Sequence, residues 1–141
     1  MFLGTHFPKL DEKGRFFLPA KFREELAEGL VISRGQERCL TIWTVEAFAE
    51  HARSMSGPSI SRRVRDFQRM LAAGASNEVP DKQGRITIPS ELRRYAGLEK
   101  EIAVIGAFER VEVWDLEAWE QYQAEQEQAF ADMDNFPDDE Q

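Results

Sequence analysis

A nine-residue motif occurs twice in this chain and divides it into two similar halves. The first copy spans residues 11–19, and the second, seventy positions later, spans residues 81–89. Each copy reads Asp-x-x-Gly-Arg, then an apolar-x-apolar strand pattern, then a proline, which ends a strand and suits the first turn of a helix. Glycine is typical of tight turns that need a positive φ. Each copy therefore predicts a hairpin tip, a strand and a short helix.

The similarity between the halves continues beyond this motif. A helical segment and two strand-like segments match in each half: 21–26 with 91–96, 30–32 with 102–105, and 40–43 with 111–114. The offset slips from seventy to seventy-one positions along the way, which corresponds to one residue inserted in a loop. Two copies are too few for a solenoid, so the duplication predicts one pseudo-two-fold unit.

Helix patterns outside the matched segments complete the predicted organisation. Thr44 can cap a helix that runs to Met55, and a second helix follows the break at residues 56–59. The apolar stripe of this second helix, which we expect to be buried, consists of Ile60, Val64, Phe67 and Leu71. We predict four parts: a first repeat (1–53), a helical connector (54–75), a second repeat (76–119), and a C-terminal helix with an acidic tail (120–141).

The C-terminal part accounts for the acidity of the chain. The net charge is −8, but residues 115–141 hold ten acidic residues and no basic ones. The first 114 residues therefore carry 16 acidic against 18 basic residues, a net charge of +2. A helix opening at Asp115 has a largely apolar side, whereas the segment from Asp132 onward has little to bury and is expected to fray or be disordered. The helix side consists of Leu116, Trp119, Tyr122, Gln126 and Phe130.

The sequence offers no support for an enzyme or a metal site. His6 and His51 lie far apart, and neither has another ligand at metal-binding spacing. No phosphate-binding glycine loop and no nucleophile–base arrangement can be identified. The single cysteine, Cys39, lies in an apolar run and is expected to be a small buried or half-buried residue and not a reactive thiol. We expect a cytoplasmic protein without a signal peptide, a membrane span, a cofactor or a metal.

The two Asp-x-x-Gly-Arg tips are the candidate functional sites. Asp11, Gly14, Asp81 and Gly84 are expected to shape the turns. The two arginines could pair with these aspartates or, held by them, reach guanine or phosphate groups of DNA. The predicted DNA-binding residues are the basic side chains of the tips and adjoining segments: Lys13, Arg15, Lys82, Arg85, Lys21, Arg23 and Arg93.

Residues 1 to about 130 closely resemble the MraZ family of transcriptional repressors of the bacterial division and cell-wall gene cluster. The resemblance is carried by the paired tips together with four short segments: residues 1–4, 81–89, 91–93 and 111–114. It implies an α+β fold in which two SpoVT-AbrB-like, swapped-hairpin β-barrel halves form an intramolecular pseudo-dimer, with connector helices and a C-terminal helix. The paired tips make the resemblance specific, since a single Asp-x-x-Gly-Arg would be weak.

The resemblance also implies a function. Family members assemble into rings and bind short direct repeats of double-stranded DNA upstream of their own operon, so a nucleoid-associated repressor is expected. The family's Asp-x-x-x-Arg motif corresponds here to Asp11 with Arg15 and Asp81 with Arg85. Phe17 is bulkier and more apolar than Thr87 at the matching position, which leaves open whether the two tips contact DNA equally.

Two further readings stay open at this point. The chain could be an antitoxin-like protein-interaction module of the same fold, or a ring-forming scaffold. A basic helix face could contact DNA, be solvated, or pair with the glutamate-rich C-terminal helix of the same or a neighbouring subunit. This face consists of Arg62, Arg63, Arg65 and Arg69.

Overall fold

The computed structural model of the protein describes residues 1–57 and 60–134, which form eight β-strands and five α-helices. A 3-10 turn over Gln36–Arg38 joins the third and fourth strands. In chain order the elements are β1 (Thr5–His6), β2 (Arg15–Phe17), α1 (Ala20–Leu26), β3 (Leu30–Arg34), β4 (Leu40–Thr44), α2 (Val45–Ser54), α3 (Arg62–Ala73), β5 (Ser76–Glu78), β6 (Arg85–Thr87), α4 (Ser90–Ala96), β7 (Ile102–Ala107), β8 (Arg110–Asp115) and α5 (Leu116–Ala131).

The strands of the two repeats are intertwined. Six strands form one antiparallel sheet in the order β1-β7-β8-β4-β3-β5, and β2 pairs with β6 in a separate two-stranded ribbon. The first strand of each repeat has crossed to the other, since β1 pairs with β7 and β5 pairs with β3. The predicted α+β fold of two duplicated halves is therefore confirmed.

A pseudo-two-fold axis passes through two cross-strand pairs. In the ribbon, Phe16 lies opposite Ile86, its equivalent seventy positions later. In the sheet, Thr41 lies opposite Glu112, its equivalent seventy-one positions later. Between the ribbon and these central strands the second half thus gains a net of one residue, and the symmetry of the fold is kept.

The core lies between the ribbon, the short helices and the sheet. Phe16 and Ile86 point inward from the ribbon, and the next inward residues, Leu18 and Ile88, are also buried. Their alternation with exposed residues is the period of two that a strand with one buried face requires. Phe22 of α1 contacts Phe2 edge-on with ring centroids 5.2 Å apart. Burying each such side chain contributes about 1.5–3 kcal/mol.

The predicted hairpin tips form turns, but the arms of each turn do not pair with one another. The Asp11 amide donates to the Arg15 carbonyl at 2.9 Å, which closes the turn. Beyond it the arms diverge, because β1 joins the sheet while β2 joins the ribbon. The segment before the first turn pairs regularly only at Thr5–His6, with an isolated bridge from Phe2 to Phe108.

The predicted helices are present, but their apolar faces are less buried than the patterns suggest. Thr44 caps α2 as predicted, accepting a hydrogen bond from the Ala47 amide at 3.0 Å. On α3, Leu71 is buried whereas Phe67 is 40% exposed, so the predicted buried stripe is wrong at that position. On α5, Trp119 and Tyr122 pack against Trp114, but Phe130 is 75% exposed. The reason is that α3 packs mainly against β3, and α5 against β7 and β8, so the sheet covers only part of each apolar face.

Two predicted features fall partly outside the described residues. The break at 56–59 includes residues 58 and 59, and the disordered tail predicted from Asp132 includes residues 135–141. Within the described part, α5 ends at Ala131 and residues 132–134 are exposed. No helix in the described ranges is long and apolar enough to cross a membrane.

Candidate nucleic-acid interface

The carboxylate of Asp11 organises the first turn. Its Oδ1 accepts hydrogen bonds from the amides of Lys13 and Arg15, both at 2.9 Å, and its Oδ2 accepts one from Arg15 Nε at 2.7 Å. The Gly14 amide donates to the Asp11 carbonyl at 3.0 Å, and Gly14 has a φ of +78°. The Asp-x-x-Gly-Arg spacing thus follows from one side chain bonding two backbone amides and one guanidinium across a tight turn.

The second turn repeats this geometry. Asp81 Oδ1 accepts from the amides of Gln83 and Arg85 at 2.9 Å, and Oδ2 accepts from Arg85 Nε at 2.8 Å. The φ of Gly84 is +84°. Hydrogen bonding from the arginine backbone amide is the largest influence that lowers the pKa of both aspartates, and the arginine side chain adds to it. Both carboxylates are therefore charged at neutral pH and hold their arginines in a fixed direction.

The paired arginines lie on the solvent face of the β2–β6 ribbon. Arg15 lies opposite Thr87, and Phe17 lies opposite Arg85. The arginine side chains are 30% and 25% exposed, and Phe17 is 51% exposed. Because each aspartate engages only Nε, the terminal guanidinium nitrogens of both arginines have no protein hydrogen-bond partner among the described residues. The ribbon thus presents two oriented guanidinium groups outward.

Arg23 and Arg93 join each turn to the opposite repeat. Arg23 Nε donates to the Leu18 carbonyl and Arg93 Nε to the Ile88 carbonyl, both at 2.9 Å. Arg93 covers Gly14 and Arg23 covers Gly84, so each turn is completed by a side chain from the other half. Sequence reasoning placed both arginines at the interface but gave them no structural role. Their equal spacing of eight residues after the turn arginine was the available signal.

The predicted lysines occupy less equivalent positions in the two halves than the arginines do. Lys13 and Lys82 are exposed in the two turns, but they occupy different positions relative to the aspartate. Lys21 is exposed on α1. Its Nζ lies 3.8 Å from the position that a Cβ on Gly4 would occupy. These side chains add positive charge without the fixed geometry of Arg15 and Arg85.

The basic face of α3 has a different character. Asp66, on the same helix, lies 3.2 Å from Arg69 and 3.9 Å from Arg62, so two of the four arginines have acidic neighbours within the helix. The Arg65 side chain donates to the Ile60 carbonyl at 3.2 Å. Within the described ranges the ion pairs of this face are intrahelical. A contact between this face and DNA stays one of the three alternatives given above.

Comparison with known proteins identifies the chain. A family model described as "MraZ protein, putative antitoxin-like" matches residues 1–70 and again residues 71–136. This chain belongs to the MraZ family. The two matches correspond to the two intertwined halves of the fold, whereas the four-part division with a connector at 54–75 stays a prediction.

Individual MraZ relatives are similar over almost the full chain. The transcriptional regulator MraZ of Cutibacterium acnes is 66% identical over 134 residues, covering 94% of both proteins. Those of Micrococcus luteus and Kocuria rhizophila are each 58% identical over 135 residues, covering 95% of this chain and 94% of the relative. Membership of this family makes the chain a transcriptional regulator and not an enzyme. No cluster of potential metal ligands occurs in the part of the chain that the structure describes.

Proposed function

We propose that this MraZ protein is a sequence-specific repressor that binds double-stranded DNA through the outer face of the β2–β6 ribbon. The observation that carries this proposal is the pair of solvent-facing guanidinium groups of Arg15 and Arg85, each fixed by an aspartate in the same turn. An arginine held in one direction loses less conformational entropy when it binds, and its planar fork matches the O6 and N7 acceptors of guanine.

The two-stranded form of the ribbon supports binding in the major groove. The major groove of B-form DNA accepts a two-stranded β-ribbon, and side chains on the outer face of such a ribbon reach base edges. Lys13, Lys82 and Lys21 would then lie beside the phosphates, where they add affinity without sequence preference. Arg23 and Arg93 have their Nε atoms engaged with carbonyl oxygens, and they serve mainly to hold the turns in position.

A closed ring of subunits would give this small basic surface sufficient affinity. A chain with net charge −8 neutralises few phosphates and should bind one site weakly. Several copies facing direct repeats at matched spacing would gain through effective concentration, by about 10²-fold or more for a second engaged site. Exposed apolar side chains support association between copies. They include Met1, Leu3, Phe7 and Phe108, of which Met1 is 78% and Phe108 67% exposed.

We propose that the directly repeated DNA boxes that the protein binds lie upstream of its own operon, in the division and cell-wall gene cluster. We also propose that the protein acts in the cytoplasm at the nucleoid. This part of the proposal is supported by the family assignment.

The decisive experiment is a DNA-binding titration with three variants. Arg15→Ala and Arg85→Ala should each weaken binding to duplexes from the upstream region by about 5- to 150-fold, the range for one bidentate base contact. Arg53→Ala is a matched control, because Arg53 is an exposed arginine on α2 that pairs with Glu50 at 2.6 Å, away from the ribbon. Light scattering should show the same particle size for all variants. Wild-type binding by both ribbon variants would refute the proposal.

An antitoxin-like interaction module is the second candidate. The observation that favours it is α5, whose C-terminal half is exposed and acidic and carries Phe130. A basic partner protein could bind such a surface. Deleting residues 130–141 would then abolish partner binding, whereas a DNA-binding repressor would keep its DNA affinity after this deletion.

A further inference from the structure

Phe17 breaks the pseudo-symmetry of the ribbon's outer face. The four outward residues of β2 and β6 are two equivalent arginines plus Phe17 and its equivalent, Thr87. Phe17 is 51% exposed, although Phe16 and Leu18 on either side of it are each 1% exposed. A large apolar side chain therefore lies in the middle of a cationic surface, on one strand only.

Phe17 contributes little to the stability of the fold. A side chain that keeps half of its surface in water contributes only part of the stabilisation of a buried phenylalanine. Its identified partner is the guanidinium of Arg85, whose Cζ lies 5.9 Å from the ring centroid. This distance fits a weak cation–π contact, which keeps the ring and the guanidinium side by side on the surface.

We propose that Phe17 contacts the 5-methyl group of a thymine next to the base that Arg85 reads. This inference rests on the proposed DNA-binding function. The thymine methyl is the one apolar group on the major-groove edge of the bases, and phenylalanine is among the residues that contact it. Cross-strand neighbours in a sheet are about 4.5–5.5 Å apart, comparable with the ~3.4 Å spacing of successive bases along a strand. Phe17 and Arg85 can therefore reach neighbouring bases.

The consequence is an asymmetric binding site. Thr87 stands beside Arg15 where Phe17 stands beside Arg85, so the two halves of the ribbon present different chemistry to the groove. A symmetric DNA-binding surface would favour a palindromic site, whereas this asymmetric ribbon would bind the duplex in one defined direction. A directional site is compatible with boxes repeated in one orientation, because each subunit can then bind in the same sense.

A uracil scan tests this contact without altering the protein. Duplexes are first selected by the wild-type protein from a random pool, and each thymine is then replaced by deoxyuridine, which removes only the methyl group. At one thymine position per DNA box, the substituted duplex should bind about fourfold more weakly, which is the size expected for burying one methyl group. In Phe17→Ser the unmodified duplex should bind more weakly, and deoxyuridine at that position should cause no further loss. Val45→Ser, the matched control, removes an apolar side chain on α2 that is 51% exposed, like Phe17, and it should keep the wild-type profile.

The possible failures are distinguishable. If the wild-type protein enriches no duplex, the proposed function and this inference both fail. If duplexes are enriched but the uracil scan is flat, or if Phe17→Ser keeps the sensitive position, only the assignment of Phe17 fails. A change of particle size in Phe17→Ser, seen by light scattering, would assign the ring to a subunit contact and overturn the inference. An unchanged slope of affinity against salt would support it, since a methyl contact releases no counterions.

Discussion

The guanidinium of Arg93 occupies the space that a side chain on Gly14 would need. A Cβ at Gly14 would lie 2.6 Å from Arg93 Nε, and the two residues belong to different repeats. Gly14 also has a φ of +78°, in the left-handed region. Glycine is therefore required at this turn for two separate reasons, the backbone conformation and the close approach of the opposite half.

Replacing Gly14 with alanine should cost more than conformational strain alone. Gly97→Ala is the control, because Gly97 has a φ of +62° and no atom of the described residues lies within 4 Å of its Cβ position. We expect Gly97→Ala to lower the free energy of unfolding by about 1 kcal/mol, and Gly14→Ala by about 2–4 kcal/mol because Arg93 must also move. Urea denaturation followed by circular dichroism measures both. Equal losses would show that the contact with Arg93 adds nothing.

The turns should weaken in acid. The pKa of Asp11 and of Asp81 is lowered from the usual 3.8, chiefly by the backbone amide of the arginine that each carboxylate binds. A carboxyl group whose pKa is lowered on folding stabilises the native state fully above its unfolded pKa, and this contribution is lost as pH falls through the folded pKa. Carboxyl NMR titration should place both values below 3.8, with Asp11→Asn and Asp81→Asn assigning the signals. A midpoint at or above 3.8 would contradict the hydrogen-bonded turn.

Tyr95 should stabilise the contact between α4 and the β3–β4 turn. Its hydroxyl donates to the Gly35 carbonyl at 2.6 Å, and Arg38 Cζ lies 4.6 Å from its ring centroid. Tyr95→Phe should lower the free energy of unfolding by about 1 kcal/mol, because one hydrogen bond is lost. Tyr95→Leu should lower it further, because the cation–π contact is lost as well. If the phenylalanine and leucine variants are equally stable, Arg38 contributes nothing through the ring.

Cys39 should be unreactive in the native protein. Its side chain is buried, and burial, with the negative charge of Glu112 as a smaller cause, raises its pKa to about 12. The thiolate is the reactive form, so alkylation by iodoacetamide at mildly alkaline pH should require unfolding. Because this is the single cysteine, mass spectrometry should show no labelled protein without urea and complete labelling in urea. Fast labelling of the folded protein would contradict the burial.

Local features of the fold could be predicted from the sequence because they depend on neighbouring residues. The Asp-x-x-Gly-Arg spacing correctly predicted both turns and their aspartate–arginine pairs, and Thr44 correctly predicted the start of α2. Each of these contacts joins residues at most four positions apart, so the pattern contains all its partners.

Contacts between the repeats were not accessible to the same reasoning. The residues around Asp11 indicated a hairpin, yet β1 and β2 pair with β7 and β6 of the other half. Strand propensity states that a segment pairs but not with which partner, and only the family resemblance implied the exchange. The role of Arg93 over Gly14 was missed for the same reason, since the two residues are distant in sequence. The burial of Phe67 was overestimated because an apolar stripe does not reveal how much of it a neighbour covers.

The facing pair of Phe16 and Ile86 shows what covalent linkage of the two halves permits. In an assembly of two identical chains, every substitution arises twice and the central pair must be a residue opposite its own copy. A single polypeptide escapes this constraint, so either half can change while its counterpart is preserved. Substitutions in a single gene can therefore change the two halves of a binding surface independently of each other.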